Sequence, residues 1–255
     1  MDKVVKSAGR VLEIFEFFAH RHAPATVSEV SEALDFPLSS TSVLLKSLLT
    51  LGYLEYRPRS REYQPTIRFA VLGTWIFDRL FSDEESIPRL MDELQAETEE
   101  TIVLAMQHGL YVDYIRILQS IAPVRFYIKP GSRRPIWLPA AGKVLLAQHP
   151  DAEVTALLRR VNANEPASGR VPVKAFLAEL AAIRRDGYAM SEAAIVPDTA
   201  MIAMAVPVPG GHRPLALAVS GPLERMRRNR TQILALMQRK LAGAVSARTG
   251  SGSVG

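Results

Sequence analysis

Residues 39–42 read Ser-Ser-Thr-Ser and precede a leucine-rich run, in the stretch FPLSSTSVLLKSLLTLGYLE. Short hydroxyl side chains form hydrogen bonds at close range, which suits phosphate oxygens and the edges of nucleic-acid bases. Val43 offers an apolar contact to a thymine methyl group, and Lys46 adds a positive charge. The same composition is also typical of an ordinary capped amphipathic helix, so this stretch alone leaves both interpretations open.

The pair Gly142-Lys143 in LPAAGKVLLA is a second place where phosphate chemistry is worth testing. A phosphate-binding loop of the type GxxxxGK[ST] needs a glycine at 137 and a hydroxyl residue at 144, whereas the chain has Trp137 and Val144. A nucleotide-binding loop is therefore not expected. The N–H groups at the start of a helix still favour a carboxylate, although tight packing of small residues also explains this segment.

The sequence lacks the common motifs of catalysis and metal binding. It has no cysteine, which excludes disulfides, thiolate metal sites and cysteine nucleophiles. Two of its five histidines flank a helix end without an acidic partner at ligand spacing, and the other three are isolated. Ser220 lies in AVSGP, which lacks the first glycine of a GxSxG elbow. We predict no enzyme activity, no metal site and no cofactor.

Length and composition bound the class of protein. The chain has 255 residues, 48% of them hydrophobic and 22% charged, which allows one large or two modest globular domains. No apolar run approaches the ~18 residues that span a bilayer, and the N-terminus MDKVVKSAGR lacks the apolar core of a signal peptide. We therefore expect a cytoplasmic protein without a membrane partner.

The net charge of +5 permits nucleic-acid binding without establishing it, because the charges are unevenly distributed. Residues 1–80 hold ten Lys or Arg and nine Asp or Glu, and are nearly neutral. The basic excess lies in 221–250, where seven basic residues accompany one acid, Glu224. Such a cluster is usually the solvated face of a helix, and a contact with another subunit or with DNA is the alternative.

Three helix signals follow one another in the first fifty residues. Ser7 is a possible N-cap of the first helix, and Thr26-x-x-Glu29 is a capping box that starts the second. Ser39 is expected to cap the third helix, which Gly52 ends. The predicted helices cover residues 7–20, 27–34 and 39–51.

A short basic hairpin is predicted directly after the third helix. Its strands are Leu54–Arg57 and Glu62–Pro65, around the tip RPRSR. Three short helices and a hairpin are typical of a winged helix-turn-helix, in which the third helix enters the major groove of DNA and the hairpin contacts the backbone. The inward face of that helix is predicted to consist of Leu44, Leu45, Leu48 and Leu51. The candidate DNA contacts are Thr26, Ser39, Ser40, Ser42, Val43, Lys46, Arg57, Arg59 and Arg61.

The remainder of the chain alternates between helix and strand patterns. We expect a winged helix-turn-helix domain over 1–66, a buried connecting helix over 67–82, a second domain over 83–247 and a disordered tail over 248–255. A hairpin is expected at His108-Gly109, and strands resume after Gly187-Tyr188. Helices are predicted at 87–99, 140–148, 152–160, 174–185 and 225–247, and strands at 101–107, 110–120, 124–128, 136–138, 201–208 and 215–220.

Seven segments, taken in order and with their spacing, resemble the IclR family of bacterial transcription regulators over residues 7–245. They are SAGRVLEIFEFF, FPLSSTSVLLKSLLTLGYLE, YQPTIRFAVLG, LQAETEETIVLAMQHGLYVDYI, GSRRPIWLPAAGKVLLA, RRDGYAMSEAA and LALAVSGP. The resemblance implies an α+β protein with an N-terminal winged helix-turn-helix, a connecting helix and a C-terminal GAF-like α/β effector-binding domain. It also implies a homodimer or homotetramer that binds operator DNA.

The resemblance further implies an effector pocket, whose side chains here are less polar than those of the family pattern. Ser191 stands where the family often has Asp, Met201 where Cys is frequent, and Ala218 and Ser220 where both residues are often Ser. We therefore expect an aromatic or larger carboxylate-like effector, although a plain core role also suits Trp137 and Met201. The candidate pocket residues are Trp137, Ala140, Ala141, Ser191, Met201, Ala218 and Ser220.

The recognition helix departs from the family pattern as well. The family commonly has a basic residue and a histidine or arginine near Ser42 and Val43, and this chain does not. Arg57, Arg59 and Arg61 are thus expected to supply more of the affinity through phosphate contacts. The sequence favours a ligand-responsive regulator of a catabolic operon. The alternatives are an enzyme acting on a small molecule in its C-terminal domain, and a constitutive DNA-binding protein with a degenerate pocket.

Overall fold

The computed structural model describes residues 5–73, 87–129, 131–163, 165–166, 169–206, 208 and 214–250. The chain divides into two compact units, Met1–Arg79 and Leu80–Gly255, and each is described by itself. No helix among the described residues is long and apolar enough to cross a membrane.

The first unit is a winged helix-turn-helix, as predicted. Its three strands form one antiparallel sheet in the order β1-β3-β2. A helical stretch over 67–73 follows, and the remainder of the predicted connecting helix lies outside the described residues. The elements are α1 (Lys6–Arg21), β1 (Ala25–Thr26), α2 (Val27–Leu34), α3 (Leu38–Thr50), β2 (Leu54–Arg57) and β3 (Glu62–Pro65).

Two of the three predicted N-caps are wrong. Helix α1 begins at Lys6, so Ser7 lies inside it, and α3 begins at Leu38 after Pro37. Pro37 fixes an extended backbone before the helix, and its carbonyl accepts hydrogen bonds from the hydroxyl groups of Ser40 and Thr41 at 2.9 and 3.1 Å. Ser39 is therefore a helical residue of the first turn.

The other capping predictions are confirmed. Thr26 and Glu29 form the reciprocal capping box at the start of α2, with the backbone N–H of Thr26 donating to Glu29 Oε2 at 2.8 Å. Gly52 follows α3 with a φ of 77°, a left-handed conformation that glycine adopts without strain.

The core of the first unit lies between α1, α2, α3 and the sheet. Leu45 and Leu48 of α3 are buried there, as predicted, and Thr41 is buried beside them. Leu51 does not share that face, because it follows the last helical turn and is 56% exposed. The stretch 67–73 stacks Phe69 on Phe15, with ring centroids 4.1 Å apart, yet Ile67 is exposed. The prediction of a fully buried helix is wrong for this part.

The second unit is an α/β domain built on a six-stranded antiparallel sheet. Its strands follow the order β6-β5-β4-β9-β8-β7, so β9 returns from the end of the chain to the centre. The elements are α4 (Ile87–Thr98), β4 (Thr101–His108), β5 (Tyr111–Leu118), β6 (Arg133–Pro135), α5 (Ala140–Leu146), α6 (Asp151–Asn162), α7 (Val173–Asp186), β7 (Ala189–Glu192), β8 (Thr199–Val206), β9 (Leu215–Pro222), α8 (Leu223–Arg228) and α9 (Arg230–Gly250).

Helices cover both faces of this sheet. Alternate residues of β4 separate the two cores: Val103 and Ala105 pack with α5, α6 and α7, whereas Ile102 and Leu104 pack with α4 and α9. The N-terminus of α5 approaches the backbone of Ile136, directly after β6, very closely. A Cβ atom on Gly142 would lie 1.9 Å from the carbonyl oxygen of Ile136, so the glycine of the Gly-Lys pair serves this packing.

Four predictions in this unit are wrong: one predicted strand is absent, and three predicted elements have other bounds. Residues 124–128 form no strand, because side chains rather than a neighbouring strand bond their backbone, and the strand predicted at 136–138 lies at Arg133–Pro135. The closing helix is interrupted at Asn229, which gives α8 and α9. Helix α9 also continues three residues into the predicted tail, to Gly250.

Candidate DNA interface and ligand pocket

Helix α3 exposes the surface of short, mostly uncharged side chains that its sequence predicts. Ser39, Lys46 and Val43 are exposed, and Val43 is 63% accessible. Ser42 and Ser40 are half-buried, and the hydroxyl group of Ser40 donates to the carbonyl of Pro37 at 2.9 Å. The face of α3 that is opposite the core therefore presents short side chains with one cation.

The N-terminal end of α1 lies beside this face, which sequence reasoning missed. A groove between the two helices is lined by Lys6, Ser7 and Arg10 from α1 and by residues of the first turns of α3. Arg10 donates to Ser40 Oγ at 3.3 Å and stacks 4.7 Å above the ring of Phe36. The signal in the sequence is the spacing of Lys6 and Arg10, which places two cations on one helical face.

The tip of the hairpin is a basic and fully exposed loop. Arg57, Arg59 and Arg61 are all exposed. Arg21 pairs with Glu29 in this unit, and the described ion pair involves none of these three arginines. Arg61 has a φ of 57°, in the left-handed region. Thr26, by contrast, is half-buried and occupied by its capping box with Glu29.

The second unit contains a pocket between β5, β8 and two loops, 121–129 and 193–198. The space counted together with its mouth is about 570 Å³, and part of it is open solvent. Its walls are mostly apolar or aromatic, and polar groups stand at a few positions. The lining residues are Tyr114, Phe126, Tyr127, Ile128, Arg134, Pro139, Ser191, Ala194, Ile195, Val196, Thr199, Ala200, Met201 and Ser220.

The polar groups of the pocket comprise one cation and several hydroxyl groups. Burial raises the pKa of Tyr114 to about 12, so its phenol remains protonated at neutral pH and is available as a hydrogen-bond donor. Its oxygen lies 4.0 Å from the sulfur of Met201. The side chains of Ser191 and Ser220 are already engaged, since Ser191 Oγ accepts from the N–H of Ala140 at 3.0 Å and Ser220 Oγ donates to the carbonyl of Ala200 at 3.1 Å.

The predicted pocket residues fall into two groups. Ser191, Met201 and Ser220 come from three strands and line the pocket together. Trp137 packs against the core, and Ala141 and Ala218 are buried within it. The backbone N–H of Ala140 is bonded to Ser191. Sequence reasoning missed Tyr114 and Arg134. Tyr114 belongs to an ordinary alternating strand and Arg134 to the segment GSRRPIW, and neither pattern indicates that the two residues share a cavity.

Comparisons with known proteins agree with this arrangement. The model of the IclR C-terminal domain of bacterial transcriptional regulators matches residues 84–247, and that of the IclR helix-turn-helix domain matches residues 7–58. The chain belongs to the IclR family. Like other members, it is a DNA-binding transcriptional regulator with a ligand-binding C-terminal domain, and the family resemblance, the α+β class and the two-domain fold predicted from the sequence are confirmed.

Individual relatives in the IclR family are distant. The transcriptional regulator KdgR of Escherichia coli is 27% identical over 253 residues, which cover 98% of this chain and 96% of KdgR. KipR of Bacillus subtilis is 27% identical over 217 residues, 84% of each chain. A crystal structure of an IclR homologue from Microbacterium hydrocarbonoxydans, complexed with 4-hydroxybenzoate, shares the fold with a TM-score of 0.69 at 20% identity, covering 95% of this chain and all of that one.

The described residues hold no group of three or more acidic or histidine side chains arranged to bind a metal ion. His108 and His149 do have acidic neighbours, at 3.2 Å from Asp113 and 3.0 Å from Glu153, which the sequence spacing had not suggested. Each histidine therefore has one carboxylate neighbour, which is a structural contact.

Proposed function

We propose that α3 enters the major groove of operator DNA and that the hairpin tip contacts the phosphate backbone. Ser39, Ser42 and Val43 offer short side chains near the helix N-terminus, where the protein backbone approaches the base edges most closely. The exposed guanidinium groups of the hairpin suit phosphate oxygens. Lys6 and Arg10 extend the same positive surface along α1. Thr26 contributes by fixing the start of α2 rather than by contact.

We further propose that the effector is an aromatic carboxylate. The observation that carries this proposal is the combination, in one pocket, of Arg134 and the phenol of Tyr114 with the apolar walls of Phe126, Ile195 and Met201. A guanidinium and a neutral phenol both donate hydrogen bonds to a carboxylate, and the walls accept a ring. The 4-hydroxybenzoate of the Microbacterium homologue belongs to that protein, and at 20% identity it supports only the fold.

In this proposal the regulator controls a catabolic operon as a homodimer or homotetramer in the cytoplasm. The effector binds one arrangement of the oligomer more tightly than another and thereby changes the affinity for DNA. Turnover of the ligand is the alternative, and it predicts formation of a product. A constitutive DNA-binding protein predicts that no ligand alters the complex with DNA.

The test is calorimetric titration with a panel of benzoates and of small aliphatic keto acids, alongside gel shifts on the DNA upstream of the chain's own gene. We expect micromolar binding of at least one benzoate. Arg134→Gln should weaken it roughly 10- to 100-fold, because a charged hydrogen bond contributes about 1.5–3 kcal/mol. Arg133→Gln is the matched control, since Arg133 pairs with Asp113 outside the pocket. Tight binding of glyoxylate alone would contradict the proposal.

A further inference from the structure

Loop 121–129 supplies one wall of the pocket, and side chains from outside the loop bond its backbone around the wall residues. At its end, the side-chain amide of Gln119 accepts from the N–H of Ile128 at 3.3 Å and donates to the carbonyl of the same residue at 2.5 Å. In its middle, both terminal nitrogens of Arg225 donate to the carbonyl of Val124 at 3.1 Å. The wall residues Phe126 and Tyr127 lie between these two points.

Arg225 is itself held in place by a buried carboxylate. Glu100 is 1% exposed, and its Oε2 accepts from Arg225 Nη2 at 2.8 Å while its Oε1 accepts from Nε. A Cβ atom on Gly221 would lie 2.3 Å from that carboxylate, so the glycine leaves the space that Glu100 fills. The guanidinium therefore has a fixed position from which it reaches Val124.

The opposite wall of the pocket is attached to the same short helix. The backbone N–H of Leu223, at the start of α8, donates to the carbonyl of Asp198 at 2.8 Å. Arg227 donates to Glu192 at 3.0 Å, at the other end of loop 193–198. Helix α8 thus contacts both loops that form the mouth of the pocket.

We propose that Arg225 is a positioning residue of the effector pocket: held by Glu100, it fixes loop 121–129 so that Phe126 and Tyr127 form the wall against which the ligand binds. The inference rests on the proposed ligand pocket. Contact with Glu100 and with Val124 at once needs the planar fork of a guanidinium. A lysine at this position keeps the charge and reaches one partner only.

The test compares Arg225→Lys and Arg225→Gln with Arg228→Gln, an exposed arginine of the same helix. Amide hydrogen exchange of the peptide spanning 121–129 and calorimetric titration with the benzoate panel are measured on the full chain. We expect both Arg225 variants to exchange several-fold faster in this peptide and to bind the benzoate at least 10-fold more weakly. The Arg228 variant should match the wild type, and peptides from the α9 core should exchange at the wild-type rate in all proteins.

The outcomes separate the two proposals. If the wild type binds a benzoate and Arg225→Lys binds it equally well, the positioning role is overturned. If the wild type binds no acid, the proposed effector class fails, and the exchange rates still decide the role of Arg225. Faster exchange in 121–129 for Arg225→Lys supports the role, and unchanged exchange overturns it. Should Arg225→Gln fail to fold, the lysine variant carries the comparison.

Discussion

The chain carries two groups of arginines, and the structure places them in opposite situations. Arg57, Arg59 and Arg61 belong to a segment that is nearly neutral in sequence, yet they are exposed and take no part in the ion pair described within residues 5–73. Arg225 and Arg227 belong to the most basic segment, yet both are bound to carboxylates. Lys240, in the same segment, pairs with Glu93 at 2.6 Å.

The difference shows that net charge along the sequence does not locate the charge that is available to DNA. The acids that neutralise the C-terminal arginines come from distant positions, such as Glu100 and Glu192, and folding brings them together. Such pairs hold the loops of the ligand pocket. The hairpin arginines have no such partner among the described residues, which suits the phosphate contacts proposed for them. The proposed roles of the two groups therefore differ, although the side chain is the same.

The largest effect is expected from breaking the buried pair of the C-terminal group. Glu100→Gln leaves Arg225 without its counter-charge, and we expect the free energy of unfolding to fall by roughly 3 kcal/mol, the low end for a buried pair because the Arg225 side chain is 25% exposed. Urea denaturation followed by circular dichroism measures it.

Glu224→Gln is the matched control for that experiment. Glu224 pairs with Arg227 on the same helix but is 84% exposed, so its loss should change the free energy by less than about 0.5 kcal/mol. If the two substitutions lowered the free energy of unfolding equally, burial of the Glu100–Arg225 pair would not account for its contribution to stability.

The second effect concerns DNA affinity. Replacing Arg57, Arg59 and Arg61 together by glutamine should weaken binding to a short random-sequence duplex about 10²-fold at about 0.15 M salt, since each phosphate contact contributes roughly 5-fold there. The slope of log K against log salt should fall by about 2.7 for each DNA-binding unit engaged. Fluorescence anisotropy across a salt series measures both quantities.

Removing the same number of charges from the C-terminal group is the control. The triple variant Arg227→Gln, Arg228→Gln and Arg239→Gln should bind the duplex within about 3-fold of the wild type, because Arg227 and Arg239 are already paired with carboxylates. A loss as large as that of the hairpin variant would place the C-terminal group at the DNA instead.

The contrast also marks what could be predicted from the sequence. In the first unit, most elements are encoded locally: the Thr26 capping box, the leucines of α3 and Gly52 predict helices α2 and α3, and the basic tip follows from RPRSR. The error at Ser39 arose because Pro37 sets the helix start, and a proline lacks the side-chain signal that capping rules rely on.

The pocket could be predicted only in part, because it joins residues that are far apart in the chain. Ser191, Met201 and Ser220 were found through the family resemblance, whereas Tyr114 and Arg134 face the cavity only once β5 and β6 pair. The 124–128 segment has the composition of a strand, and its backbone is instead bonded by Gln119 and Arg225. Local patterns carry no information on such side-chain partners.

The smallest effect separates charge from conformation within the hairpin. Arg61 has a φ of 57°, which costs a residue with a side chain about 1 kcal/mol, so Arg61→Gly should stabilise the first unit by about that amount while weakening DNA binding roughly 5-fold. Arg59→Gly is the matched control: it removes the same charge at a position outside the left-handed region, and glycine should cost stability there. Thermal unfolding and anisotropy distinguish them. If both variants lose stability, the left-handed backbone at Arg61 does not govern the hairpin, and if neither loses affinity, the tip does not touch the phosphates.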